Sequence, residues 1–412
     1  MPAFASSAAM SLLYADHITP EEVAARHRAL FTDWGEGARA RTSFGADCDP
    51  HRPLRIGMVT ADLHHQHPVN IFLQPLLARW DHDSLPLTVY FTGSSVDEQT
   101  RLARTRARGW RDVALSALPV TVASDSIDIL IDLSGHTAGG ALALFARRMA
   151  PVQVTWLGYP SSTGVPNIDW LIGDPVVTPF EADGLCSEKV MRLPDTVFCF
   201  APEADHPLPD FTAAARGRPF TFGSFNNIPK LTPRTVALWS AALAAVPDAR
   251  LLLRAPSFKD AAAIARFRRL FAEAGIDPDR LIFRGPVGLD AMMKAYAEID
   301  VALDPVPYNG GTTTLQALWM GVPVITLKGE HFVSRMGASF LSAAGLADWV
   351  ADTEAAFVAR ARAAAADRQT LIALKQGLRS RLLSRPAWNP DRFATSFQDA
   401  LRDIWKQSMV CS

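Results

Sequence analysis

Asp304-Pro305-Val306-Pro307-Tyr308-Asn309-Gly310-Gly311-Thr312-Thr313-Thr314 follows a short apolar run, and residues 312–320 after it have helical composition. A strand that ends in a glycine pair and passes into a helix is the βα turn of a parallel α/β sheet. The glycines let the backbone approach a bound group closely. The threonines set hydroxyls beside unpaired N–H groups at the positive end of the helix dipole. That is a diphosphate cradle in physical terms. The same residues also fit an ordinary glycine-rich turn in which threonine caps the helix.

The alternation continues outward from this segment. Residues 220–225, 251–254, 281–284, 301–303 and 322–327 read as strands, and 233–246, 261–274, 289–297, 312–320 and 334–344 as helices. Residues 353–406, rich in alanine, arginine and leucine, read as two or three closing helices. Upstream, 54–60, 87–92, 127–133, 152–157 and 170–172 are apolar strands with helices at 69–80, 98–109 and 140–148. Residues 201–219 hold Pro202, Pro207, Pro209 and Pro219 and read as a linker. Near the start, Thr19-Pro20-Glu21-Glu22 opens a helix that runs to about Trp34, with Thr19 as its cap. The expected division is a helical lead-in (1–50), two α/β halves (51–205 and 206–385) and a final helix (386–412). Two parallel sheets predict a cleft between their carboxyl ends, where ligands of open α/β folds usually sit.

Composition narrows the function classes. The 412 residues carry 41 Lys plus Arg against 42 Asp plus Glu, so no overall basic field draws the chain to nucleic acid or anionic lipid. With 49% hydrophobic and 20% charged residues, a packed core is expected and wholesale disorder is excluded. The longest apolar stretch, 236–246, falls short of the ~20 residues that span a bilayer. Cys48, Cys186, Cys199 and Cys411 are widely spaced, as reduced thiols of a cytoplasmic protein would be. The start lacks the positive region of a secretory signal.

Four further loops follow strands. In Ser224-Phe225-Asn226-Asn227-Ile228-Pro229-Lys230 the lysine is one of only seven, so its place at a strand end suits a phosphate oxygen, although a solvated loop lysine is the default. Asp62-Leu63-His64-His65-Gln66-His67-Pro68-Val69 offers a histidine as general base or as an orienter of a hydroxyl. Its three histidines also raise a metal reading. That reading is set aside because no matching carboxylate or cysteine cluster is evident in the sequence. Asp132-Leu133-Ser134-Gly135-His136-Thr137-Ala138-Gly139-Gly140 is a tight βα turn or a sugar- or acceptor-facing loop, and Leu157-Gly158-Tyr159-Pro160-Ser161-Ser162-Thr163-Gly164 resembles it. Arg101, Arg104, Arg106, Arg108 and Arg111 read as a solvated helix face.

Taken together, these strings resemble the catalytic region of the protein O-GlcNAc transferase and SPINDLY family, above all its bacterial members. The likeness is carried by His67-Pro68-Val69, Asp132 to Gly140 with Arg147 and Ala150-Pro151-Val152-Gln153, and Trp156-Leu157-Gly158-Tyr159-Pro160. It continues through Phe225-Asn226-Asn227, Lys230, Pro307 to Thr314, and Ala317-Leu318-Trp319-Met320-Gly321-Val322-Pro323. The resemblance implies a GT-B fold of two Rossmann-like lobes facing a cleft. It implies inverting transfer from a nucleotide sugar, UDP-GlcNAc first, to serine or threonine of an acceptor protein, without metal or other cofactor. By the same resemblance His67 stands at the catalytic centre, Lys230 binds the diphosphate, and Thr312 and Thr313 hold the phosphates, next to the Gly310-Gly311 turn already read as part of the cradle. Asn227 falls where a glutamine amide sits; His136, Thr137, Tyr159 and Pro160 are substrate-side candidates from the two loops at the sheet edge. Gln316 stands where the family has a ribose-binding carboxylate, and Met292 near a base-stacking histidine. Those two departures keep other readings open: GDP-fucose or a CMP-activated nonulosonic acid as donor, with flagellin as a possible acceptor, or a catalytically weak scaffold. The tetratricopeptide array usual in the family is missing from the sequence, which suggests a separate adaptor of that type.

Overall fold

Ile56–Thr60 (β1) is buried along its whole length, as a strand covered on both faces must be. In the computed structural model, residues 2–35, 49, 52–65, 67–202 and 206–409 are described, and they divide into two compact units. The first comprises 1–13, 18–201 and 389–412; the second comprises 14–17 and 202–388. Cys48, Cys411 and the Pro50 boundary lie outside the described residues. Among the described residues no helix is long and apolar enough to cross a membrane.

The first unit carries a seven-stranded sheet. To β1 it adds Leu87–Phe91 (β2), Gly109–Asp112 (β3), Ile129–Asp132 (β4), Val152–Thr155 (β5), Trp170–Gly173 (β6) and Lys189–Arg192 (β7), all parallel, in the order 3-2-1-4-5-6-7. The second unit repeats the plan with Thr221–Ser224 (β8), Arg250–Arg254 (β9), Leu281–Arg284 (β10), Val301–Leu303 (β11), Val324–Leu327 (β12) and Val350–Ala351 (β13). These are also parallel, in the order 10-9-8-11-12-13. Each sheet reverses its direction of winding once, between β1 and β4 and between β8 and β11. The loops at those two points are where such sheets bind ligands.

Strands β3, β7 and β13 were not expected from the sequence, and the expected helix 98–109 stops at Arg106 because Gly109 opens β3. The expected helix at 140–148 shortens to Leu142–Phe145. The proline-rich stretch contains a helix, Phe211–Ala215, whose first N–H groups are capped by Asp210. The lead-in is a pair of helices, Pro2–Leu12 and Pro20–Phe31, and Thr19 with Glu22 forms a capping box at the second. The closing helix, Pro390–Met409, does not stand apart. It belongs to the first unit, with Phe397 against Trp156 at 4.4 Å between ring centroids.

Candidate functional site

The centre of the second unit is Asp304, directly after β11 and buried. Its Oδ1 accepts from the Gly310 N–H at 2.6 Å and its Oδ2 from the Thr326 hydroxyl at 2.7 Å, which ties the glycine loop to β12. Burial pushes this carboxyl above the usual range, against the pull of those bonds and of Lys230. Lys230 Nζ donates to the Asn309 carbonyl at 2.7 Å and lies over the Tyr308 ring, 4.1 Å from its centroid. Tyr14 stacks on that ring at 4.8 Å. Burial lowers the lysine's pKa and Asp304 raises it. A diphosphate would favour the charged form further.

The helix Thr312–Trp319 begins here, and its cap position, Gly311, supplies no side chain. A Cβ at Gly311 would meet nothing within 4 Å, so the space above the helix start is open. Thr313 donates its hydroxyl to the Asn226 amide oxygen at 3.0 Å, and its carbonyl accepts from Tyr296 at 2.9 Å. The Thr312 hydroxyl is different: it is buried and has no hydrogen-bond partner among the described residues. Such an oxygen costs free energy unless a ligand satisfies it. Asn227 is exposed at the start of the turn Ile228–Lys230, and Gln316 is buried in the second turn of the helix.

In the first unit, His67 caps the helix Pro68–Leu77, with Nδ1 accepting from the Val69 N–H at 3.3 Å. A neutral ring in that bond keeps its proton on Nε2, which lies 3.7 Å from Oδ1 of Asp62. Burial lowers the His67 pKa, Asp62 raises it and His64 lowers it. Asp62 is itself buried and accepts from the Ser134 hydroxyl at 2.9 Å. Asp132, at the end of β4, gathers the Gly135 N–H at 2.9 Å and the Thr155 hydroxyl at 3.2 Å, and burial pushes its carboxyl up to about 7.

His136 and Tyr159 are placed differently from the sequence reading. His136 is buried, donating from Nε2 to the Thr163 carbonyl at 2.8 Å and accepting at Nδ1 from Ser6 at 3.0 Å. Its ring stacks on Phe31 at 4.3 Å, and burial pushes its pKa down to about 4. Tyr159 is buried and hydrogen-bonds through its hydroxyl to His27 Nε2. Both therefore anchor the lead-in helices and turn no polar atom to a ligand. Pro160 is buried beside Tyr159, and Thr137 is half-buried with its hydroxyl on the Ser134 carbonyl at 2.6 Å.

Asp62, Asp132 and Asp304 are the organising residues to which the sequence reading gave no role. Their signal was a carboxylate at or just past the end of a strand, two, three or six residues ahead of a loop histidine or glycine. Asp132 and Asp304 occupy corresponding places: one ends and the other directly follows a strand next to the winding reversal, and each takes a threonine hydroxyl from the following strand.

The model of Glycosyl transferase family 41 matches residues 5–207 and 217–397. The chain belongs to that family. A Solanum lycopersicum protein named probable UDP-N-acetylglucosamine–peptide N-acetylglucosaminyltransferase SPINDLY is 33% identical over 411 residues, 97% of this chain and 44% of its own length. The solved structure of a Thermobaculum terrenum O-GlcNAc transferase mutant has a TM-score of 0.92 at 32% identity, covering 99% of this chain and 78% of that one. Sucrose-phosphate synthase of Thermosynechococcus elongatus, with TM-score 0.59 at 14% identity over 86% of this chain and 100% of its own, shares the fold alone. The family 41 chain thus has the two Rossmann-like units and helical ends of GT-B glycosyltransferases. It spans less than half the length of the curated relative.

Proposed function

We propose that this family 41 chain is an inverting, metal-independent O-glycosyltransferase that moves GlcNAc from UDP-GlcNAc to serine or threonine hydroxyls of a protein. The observation that carries the reading is the buried, unpartnered Thr312 hydroxyl beside the open space at Gly311. An acceptor oxygen of a phosphate would satisfy it, and the N–H groups of the same helix start would add to the bond. Lys230 and the helix dipole would stabilise charge developing on the departing diphosphate, which is electrostatic catalysis by fixed groups. His67, held as the cap of its helix and backed by Asp62, would orient or deprotonate the acceptor hydroxyl. The donor identity draws support from the names of the relatives, which do not favour GDP-fucose or a CMP-activated sugar. The same proposal puts the reaction in the cytoplasm, with a tetratricopeptide-type adaptor recruiting the acceptor.

Thermal unfolding of the full chain with UDP, GDP and CMP tests it. UDP binding at a hundred times its dissociation constant adds about 2.7 kcal/mol by mass action and raises the melting temperature. An inert scaffold would show no shift with any of the three.

A further inference from the structure

The three histidines after β1 are not alike in the folded chain. His65 is exposed and its backbone N–H donates to Asp97 at 2.6 Å. His64 and His67 have their rings 5.0 Å apart and gather around Asp62. One carboxylate oxygen and two imidazole nitrogens of these three residues all lie within 4.8 Å of one another. The Ser134 hydroxyl holds Oδ2 of Asp62 at 2.9 Å, so Oδ1 is the oxygen left toward His67. A buried hydroxyl that fixes the other oxygen of a carboxylate is the kind of support that surrounds metal ligands. The fold thereby brings Asp62, at the head of the same loop, together with both histidines.

We propose that Asp62, His64 and His67 bind a first-row divalent transition ion, zinc above all, and that the bound ion withdraws His67 from the transfer reaction. Two imidazoles and one carboxylate form a borderline donor set that suits zinc, cobalt or nickel and not magnesium or calcium. Donors about 2.0–2.2 Å from a tetrahedral zinc lie roughly 3.4 Å apart, so side-chain rotations of about 1 Å close the group. The fourth position stays open for water. Binding through Nε2 of His67 moves the ring proton to Nδ1 and ends its 3.3 Å bond with the Val69 N–H. The site is therefore weaker than a closed structural zinc site and reversible by chelation. The proposal concerns an inhibitory ion, and transfer itself remains metal-independent. Inhibition rests on the proposed transfer reaction; binding does not.

The test titrates the full chain with zinc chloride by calorimetry and with cobalt chloride by visible absorption, alongside His64→Ala and His65→Ala. The expected result is one equivalent bound and cobalt d–d bands in the parent and in His65→Ala, with at least tenfold weaker binding in His64→Ala. Zinc should inhibit sugar transfer by the parent, EDTA should reverse it, and the transfer that His64→Ala shows should need at least tenfold more zinc for inhibition. Absence of binding, or parent-like affinity in His64→Ala, overturns the site. Binding without inhibition in a transfer-active protein overturns the regulatory half. A chain inactive with every donor would count against the transferase reading, while calorimetry and the cobalt spectrum would still decide the site.

Discussion

Replacing Thr312 by valine removes one oxygen and keeps the shape of the side chain. That hydroxyl is buried and unpartnered in the ligand-free chain, and Gly311 beside it leaves open space. An unsatisfied buried polar atom costs about 1–3 kcal/mol, so Thr312→Val should stabilise the empty protein by about 1 kcal/mol or more. For a unit of this size that is roughly 2–4 °C in melting temperature. Binding should move the other way. A hydrogen bond to a charged phosphate contributes about 1.5–3 kcal/mol, so UDP affinity should fall about tenfold to a hundredfold. Differential scanning calorimetry and isothermal titration calorimetry with UDP measure the two quantities on the same preparation. The opposite signs are the point, because a generally damaged variant would lose both. Parent-like UDP affinity in Thr312→Val would refute the assignment of this helix start to the diphosphate.

Lys230→Ala should lower transfer by about 10²–10³-fold through lost stabilisation of the leaving group, and cost about 1–2 kcal/mol of stability because the Asn309 carbonyl loses its donor; single-turnover rates with urea unfolding check both. His67→Ala should cut turnover by ~10²–10⁴-fold while leaving UDP affinity within about twofold, since the groups assigned to the diphosphate belong to the second unit; a matching loss in His65→Ala would reduce His67 to a plain loop residue. In the parent, the acid limb of activity should fall below pH 6.5, because burial lowers the His67 pKa. The buried His136 gives a stability test. Its pKa falls from 6.5 unfolded to about 4 folded, so between those values the unfolded chain binds more protons. Its contribution is fully present above pH 6.5 and is lost as the pH falls toward 4, by about 3 kcal/mol in all. In His136→Gln that pH slope should flatten in urea titrations.

Strands at the middle of each sheet were legible because burial on both faces demands unbroken apolar runs. Val301–Leu303, inside its sheet and buried throughout, coincides with the reading residue for residue. The missed β3 and β7, Gly-Trp-Arg-Asp and Lys-Val-Met-Arg, lie at the sheet edges with one side partly exposed, where charged residues are tolerated and the apolar signal fades. The glycine loops were visible for a local reason, since a strand, a glycine turn and a helix start are contiguous. What holds those loops was not local. Thr326 reaches Asp304 from the next strand, and Ser134 reaches Asp62 from 72 residues away. His136 and Tyr159 were assigned to substrate because each follows a strand at the ligand-binding edge. Ser6 and His27, more than a hundred residues earlier, take up their polar atoms, and no spacing rule connects such positions.

Mass spectrometry of an acceptor protein incubated with the purified chain and UDP-GlcNAc, with GDP-fucose and CMP-activated sugars in parallel, tests the transfer reaction most directly. The predicted result is one or more N-acetylhexosamine additions on serine or threonine with UDP-GlcNAc, strongly reduced in Lys230→Ala. Sugar addition only from another donor, or undiminished addition by a folded Lys230→Ala protein, would contradict it.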